Sequence, residues 1–202
     1  MVVLNHLEPQ RVFHFFEELC AIPHGSGNTK AVSDWLVDFA KARGLRYVQD
    51  QLNNVVIFQD AAPGYESAEP VILQGHMDMV CEKNSDVEFD FDNDPIRTRI
   101  DGEWVRAEGT TLGADCGIGM AAALAVMLDE TVEHGPVEAL FTVDEETGLT
   151  GAFELGEGML TGKYLVNLDS EDEGEIFIGC AGGIDTIATF HYTMEPSPKN
   201  YT

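Results

Sequence analysis

Four short polar clusters carry residue types that hold divalent metal ions and move protons: His76-Met77-Asp78, Asp115, Asp144-Glu145-Glu146 and Asp169. Imidazole nitrogen and carboxylate oxygen bind zinc at about 2.0–2.2 Å. Two ions roughly 3.5–4 Å apart hold a water between them and polarise a carbonyl. Such a water also needs a nearby base that is not consumed as a ligand. The neighbours Glu145 and Glu146 can divide those duties, one facing the water and one the metal. Asp78, two residues beyond His76, is placed to fix the imidazole tautomer from behind the metal.

Taken singly, each cluster is ordinary. A His-x-Asp is commonly a surface pair, Asp-Glu-Glu after a strand is commonly a solvated turn, and Asp169 leads into the acidic run Ser170-Glu171-Asp172-Glu173. Their placement is what points to chemistry. Residues 71–75, 137–143 and 164–168 are short apolar runs bounded by turn residues, the pattern of strands. His76, Asp144 and Asp169 follow these three runs directly. Asp115 stands just before residues 117–130, an Ala-, Leu- and Met-rich stretch that predicts a buried helix. In open α/β sheets, ligands bind beyond the carboxyl ends of the strands. Three strands and one helix start therefore deliver ligating groups to one edge.

The rest of the chain supplies a frame for that edge. Residues 9–21 carry Val12, Phe13, Phe16, Leu19 and Cys20 at helical spacing, with Pro23 as a stop. Residues 30–43 do the same with Val32, Trp35, Leu36, Phe39 and Ala40, ending at Gly44. Residues 54–59 predict another strand, and 175–178 and 186–193 two more. Alternating strands and helices indicate an α/β fold with a mostly parallel central sheet flanked by helices.

Two look-alike motifs fail on chemistry. The stretch from Gly109 to Gly119 lacks the Gly-Lys-Ser/Thr ending of a phosphate loop, and Asp115 would repel phosphate. Asp90-Phe-Asp-Asn-Asp94 starts like a calcium loop, but Pro95 takes the turning glycine's position and Asp101 that of the bidentate Glu.

Charge narrows the partners. With 11 Lys plus Arg against 36 Asp plus Glu, the net charge is −25. A polyanion repels phosphate backbones and anionic lipid, so neither nucleic acid nor a membrane is an expected partner. Cys20, Cys81, Cys116 and Cys180 form no Cys-x-x-Cys pair, and four reduced thiols suit a cytoplasmic protein.

Four blocks, Val71-Ile-Leu-Gln-Gly-His-Met-Asp-Met-Val80, Thr111-Leu-Gly-Ala-Asp-Cys-Gly-Ile-Gly-Met-Ala-Ala-Ala123, Leu140-Phe-Thr-Val-Asp-Glu-Glu-Thr-Gly148 and Asn167-Leu-Asp-Ser-Glu-Asp-Glu-Gly-Glu175, occur in order along the chain. They resemble the metal-site blocks of the metallopeptidase family of carboxypeptidase G, acetylornithine deacetylase and the carnosine dipeptidases. Gly174-Glu-Ile-Phe-Ile-Gly-Cys-Ala-Gly-Gly183 resembles that family's aminoacyl-histidine dipeptidase branch.

The resemblance implies a phosphorylase/hydrolase-like zinc-peptidase catalytic domain, incomplete here, with residues 1–187 as its N-terminal portion and 188–202 as the start of a lid. It implies that His76 and Asp169 bind one zinc, Glu146 the other, and Asp115 both, across a cis Asp115–Cys116 bond. Glu145 would be the general base and Asp78 the orienting acid. Many family members carry Asn at the position of Cys116. A zinc-activated water would cleave Xaa-His dipeptides such as carnosine, with an amidase or deacylase as an alternative on the same scaffold.

Full-length members use two zinc ions, other divalent metals being able to substitute, and a homodimer fits their form. They supply a final His ligand from beyond the lid. His191 lies in a strand expected to lead away from the site. The resemblance therefore predicts one tightly held ion, or none, for these 202 residues, and a catalytically silent chain when they stand alone.

Overall fold

The computed structural model describes residues 3–170, 172, 174–180, 182–184 and 186–196. The chain divides into two units, Met1–Ser170 and Glu171–Thr202, and all regular elements of the described residues lie in the first.

Two amphipathic helices open the chain. Helix α1 (Gln10–Cys20) buries Phe15, Phe16, Leu19 and Cys20 along one stripe. Helix α2 (Lys30–Ala42) buries Val32, Leu36, Phe39 and Ala40. It stops at Gly44, whose φ of 66° suits a residue without a Cβ. There the N–H groups of Gly44 and Leu45 donate to the carbonyls of Lys41 and Ala40, closing the last turn as a Schellman motif.

The sheet has five strands in the order β1 (Arg46–Gln49), β2 (Val55–Gln59), β6 (Val137–Thr142), β3 (Val71–His76) and β7 (Tyr164–Asn167). β6, β3 and β7 pair in parallel, whereas β2 runs antiparallel to both β1 and β6. Four of the five strands therefore point the same way, and the sheet is mostly parallel. A separate hairpin, β4 (Thr98–Asp101) and β5 (Trp104–Ala107), leads into helix α3 (Ala114–Met127). A single turn, α4 (Thr150–Phe153), lies between β6 and β7.

Both faces of the sheet are covered, as a parallel sheet requires. Alternation along β2 sends Val55 and Ile57 into the larger core with α1, α2 and α3. It sends Val56 and Phe58 into a smaller one with Ile72 and Leu140, capped by Leu155, Met159 and Leu160. All six residues of β6 are buried. Helix α3 is apolar all round because it lies between α1 and β3. Its approach to α1 is tight: a Cβ added at Gly117 would sit 3.2 Å from the Phe16 ring.

Several elements differ from expectation. β1, β4, β5 and α4 are four residues each, too short to show a period in sequence. The strands expected at 175–178 and 186–193 do not form among the described residues of the second unit. A strand needs a hydrogen-bonded neighbour, and the described residues there offer none; Ile176, Ile178, Ile187 and Phe190 are instead exposed. β7 forms as expected, but as an exposed edge strand, its Tyr164, Leu165 and Val166 open to solvent.

Candidate metal centre

The three parallel strands β6, β3 and β7 end side by side, and the polar clusters sit at those ends. His76 is the last residue of β3, paired with Thr142 of β6. A polar ladder runs under the site across all three strands. Asn167 Nδ2 donates to Gln74 Oε1 at 2.6 Å, and Gln74 Nε2 donates to Thr142 Oγ1 at 3.4 Å. The pairing continues one step past β7, where the Leu168 N–H donates to the Gln74 carbonyl at 2.8 Å and sets the position of Asp169.

The His76 ring is 1% exposed. Its Nδ1–H donates to the Asp78 carbonyl at 2.9 Å, with Asp78 Oδ1 at 3.3 Å. That leaves Nε2 facing the open side. Around it stand Asp115 Oδ1 at 2.9 Å, Asp169 Oδ1 at 3.6 Å and Glu145 Oε2 at 3.9 Å. Glu146 joins this set, since ligand atoms of His76, Asp115 and Glu146 lie within 4.8 Å of one another. A second group meets the same limit: His76, Cys116 and Asp169. All six residues singled out in the sequence thus meet in one place.

Asp78 is a hub. Its carboxylate accepts the Ser26 hydroxyl at 2.8 Å, the Glu145 N–H at 2.9 Å and the Glu146 N–H at 3.3 Å. Burial opposes its ionisation, but His76 and these donors outweigh it and hold the carboxyl below its ordinary value. The adjoining turn is fixed as well: the Gly27 N–H donates to Asp144 Oδ1 at 2.7 Å, and Asp144 has a φ of 53°. Asp and Asn tolerate that left-handed conformation better than most residues.

The electrostatics describe an anionic hole around one imidazole. Burial pulls the His76 imidazole down, yet Asp78, Asp115 and Asp169 outweigh it and push it to about 9. Burial and the neighbouring Asp115 carboxyl push Asp169 up to about 6. Burial and Asp115 likewise raise Glu146. Crowded carboxylates beside a nitrogen lone pair relieve one another by sharing a cation, so the donor set fits a divalent metal ion.

Two supporting residues, Ser26 and Asn54, are not singled out in the sequence, and a third, Cys116, stands out there only as a departure from the family's usual Asn. Ser26 belongs to the loop between α1 and α2, which runs beside Met79. Buried Asn54 donates to Asp50 and to the Gly151 carbonyl, and its Oδ1 accepts the Val143 N–H, pinning the end of β6 just before Asp144. Cys116 is 2% exposed, and burial together with the charge of Asp169 pushes its thiol up to about 12. The clustered Gly in His24-Gly25-Ser26-Gly27 was the one available hint, for the first of these. The Asp115–Cys116 peptide bond is cis. The Asp90–Asp94 turn is closed by its own side chains, with Asp90 accepting from Asp92 and Asn93.

A mostly parallel sheet with His and carboxylate donors gathered at its carboxyl edge is an α/β fold with a candidate metal centre where such folds bind their ligands. The pattern of Peptidase family M20/M25/M40 matches residues 72–200, and the chain belongs to that family. It is 48% identical over 201 residues to the cytosol non-specific dipeptidase of Escherichia coli, covering 100% of this chain and 41% of that protein. Among solved structures it resembles aminoacylhistidine dipeptidase from Vibrio alginolyticus, with a TM-score of 0.85 and 48% identity over 88% of this chain and 36% of that one. A tripeptidase from Staphylococcus aureus is similar at a TM-score of 0.67 and 25% identity, over 81% of this chain and 44% of the other. The chain thus spans about two fifths of the length of the Escherichia coli dipeptidase it matches.

Proposed function

We propose that this protein serves metal-dependent hydrolysis of short peptides, with Xaa-His dipeptides as the substrate class and zinc as the metal, in the cytoplasm. The observation that carries the reading is the convergence of His76 Nε2 with Asp115 and Asp169 at 2.9 and 3.6 Å, beside Glu145. In this reading His76 and Asp169 would hold one zinc and Glu146 the other, with the Asp115 carboxylate available to both. Bound zinc would supply Lewis-acid polarisation of the scissile carbonyl and acidify a water.

The chain's own residues would do the rest. Glu145, with its backbone anchored on Asp78, would take the water's proton on its carboxylate and pass it to the departing amine. Asp78 keeps the His76 Nδ1 occupied, so Nε2 remains the ligand atom. The Xaa-His preference is supported by the likeness to an aminoacylhistidine dipeptidase, and the cytoplasmic location by the likeness to a cytosol dipeptidase. No helix among the described residues is long and apolar enough to cross a membrane.

A specific observation favours a second reading for the 202 residues by themselves. Both candidate ligand groups among the described residues share His76. With Nδ1 tied to Asp78, its one free lone pair serves one ion. These residues would then hold a single ion tightly and turn over dipeptides poorly. The test combines metal content after dialysis with an assay on a panel of dipeptides, some ending in His. Zinc-dependent release of His that Glu145→Gln abolishes, with metal still bound, supports the first reading. One bound ion with no turnover supports the second. Hydrolysis indifferent to chelators or to Glu145→Gln would defeat the mechanism.

A further inference from the structure

The centre contains a sulfur that the hydrolytic chemistry does not use. Cys116 Sγ, His76 and Asp169 present ligand atoms within 4.8 Å of one another, a set that overlaps the oxygen-rich group of His76, Asp115 and Glu146. The sulfur is held by backbone. A Cβ added at Gly75 would lie 2.9 Å from Sγ and one at Gly119 2.7 Å, so two glycines, one on β3 and one on α3, form a cradle in which the sulfur fits. With a larger residue at either position the sulfur would have to move. The side chain is almost wholly buried, and its sulfur stays within 4.8 Å of ligand atoms of His76 and Asp169.

We propose that Cys116 gives this centre a second, sulfur-containing ligand set, His76–Cys116–Asp169, that captures thiophilic divalent ions of the cadmium class. The inference rests on the metal-centre reading for its nitrogen and oxygen donors. Ligand softness separates the two sets. Oxygen donors suit harder ions such as manganese, whereas thiolate favours soft and borderline ones. Because both sets draw on the same imidazole, they cannot fill together. A thiophilic ion taken up through Cys116 therefore removes His76 from the oxygen-rich set and displaces a harder ion there. The step balances without redox change: the S–H bond breaks heterolytically, the proton passes to water, and the sulfur pair is donated to the ion. A thiol bound to such an ion is deprotonated outright.

The experiment titrates the chain with Cd²⁺ and with Mn²⁺, following the thiolate-to-cadmium charge-transfer absorption and the spin-resonance signal of free Mn²⁺. The wild type is expected to show the cadmium band and to release bound Mn²⁺ as the band grows. Cys116→Ser keeps a polar group of similar size but removes the sulfur. It should lose the part of the band that depends on Cys116, weaken Cd²⁺ binding on the order of 10–100-fold, and change Mn²⁺ affinity far less. Cys20, Cys81 and Cys180 remain in that variant, so the difference reports Cys116 alone. Cys116→Ala serves in its place if circular dichroism shows the serine variant unfolded, and Mn²⁺ displacement is read on the wild type in either case.

A cadmium affinity indifferent to Cys116, or a Cys116-dependent band that survives His76→Ala, overturns the proposal. Normal Mn²⁺ binding with such indifference leaves the metal centre standing and removes only the sulfur set. Failure of the wild type to bind either ion removes both.

Discussion

The Asp78 carboxylate accepts the backbone N–H of Glu145 at 2.9 Å, across 67 residues of sequence, while the same residue's carbonyl accepts Nδ1–H of His76 at 2.9 Å. One buried residue thereby sets both the tautomer of the proposed ligand and the path of the loop carrying the proposed base. Changing Asp78 to Asn preserves volume, but its amide turns a donor toward groups that need acceptors. We expect metal affinity to fall roughly 10–100-fold with the fold retained, as measured by calorimetric titration beside circular dichroism. Unchanged affinity would show that His76 is oriented by other contacts.

Metal uptake should release a proton. In the metal-free chain burial lowers His76, but its carboxylate neighbours outweigh that and raise it from the ordinary 6.5 to about 9. A raised histidine adds stability that is complete below its unfolded value and disappears as pH climbs through about 9. The ion needs the neutral ring, so its affinity moves the opposite way, rising about tenfold per pH unit from near neutrality to about 9. Titration in buffers of different ionisation enthalpy counts the proton directly. A pH-independent affinity over that range would contradict the assignment of His76 as a ligand.

The pH dependence of folding carries a separate signature from His24. It is buried, with its Nδ1 hydrogen-bonded to the Ile22 carbonyl. Burial lowers its pKa below 6.5, only partly offset by that bond and by the charge of Asp78. The unfolded chain therefore binds the proton more readily, and the contribution is present above pH 6.5 and lost as pH falls through the folded value. Urea midpoints below pH 6.5 should drop more steeply in the wild type than in His24→Gln. Parallel curves would mean that the His24 ring titrates as it does in the unfolded chain.

Asn54→Ala tests the latch behind the base. The change would leave the Val143 N–H and the Gly151 carbonyl without their buried partner. Each such group costs about 1–3 kcal/mol. The denaturation midpoint should fall accordingly. The loss of metal affinity should be smaller than with Asp78→Asn, because Asn54 bonds only Asp50 and the backbone of Val143 and Gly151, whereas Asp78 bonds the His76 ring directly.

The parts of this protein legible from sequence are those with a period or a local end. Val71-Ile-Leu and Val137-Glu-Ala-Leu-Phe read as strands because they are short, apolar and bounded. The polar residues after them could be placed by the rule for parallel sheets alone. Ser26 and Asn54 could not, since their partners Asp78 and Val143 lie 52 and 89 residues away and leave no spacing to detect. The same limit hid β1, whose four residues form a strand only because β2 offers an edge to pair with. The apolar alternation around Ile176 and Ile187 misled in the opposite direction. It records a propensity for strand, and propensity becomes a strand only against a partner.

The polar ladder from Thr142 through Gln74 to Asn167 turns the sheet into a ruler. Adjacent strands stand about 4.8 Å apart, and the metal-facing groups are spread across three of them, so interstrand spacing calibrates the gap between donors. Among the described residues the least secured graduation is β7, an edge strand paired on one side only, through four residues. A one-residue slip there would turn alternate side chains to the opposite face and carry Asp169 out of reach of His76. The fidelity of the centre is therefore governed by the stability of its outermost strand. Whatever shields that edge also sharpens the metal site, without touching a single ligand.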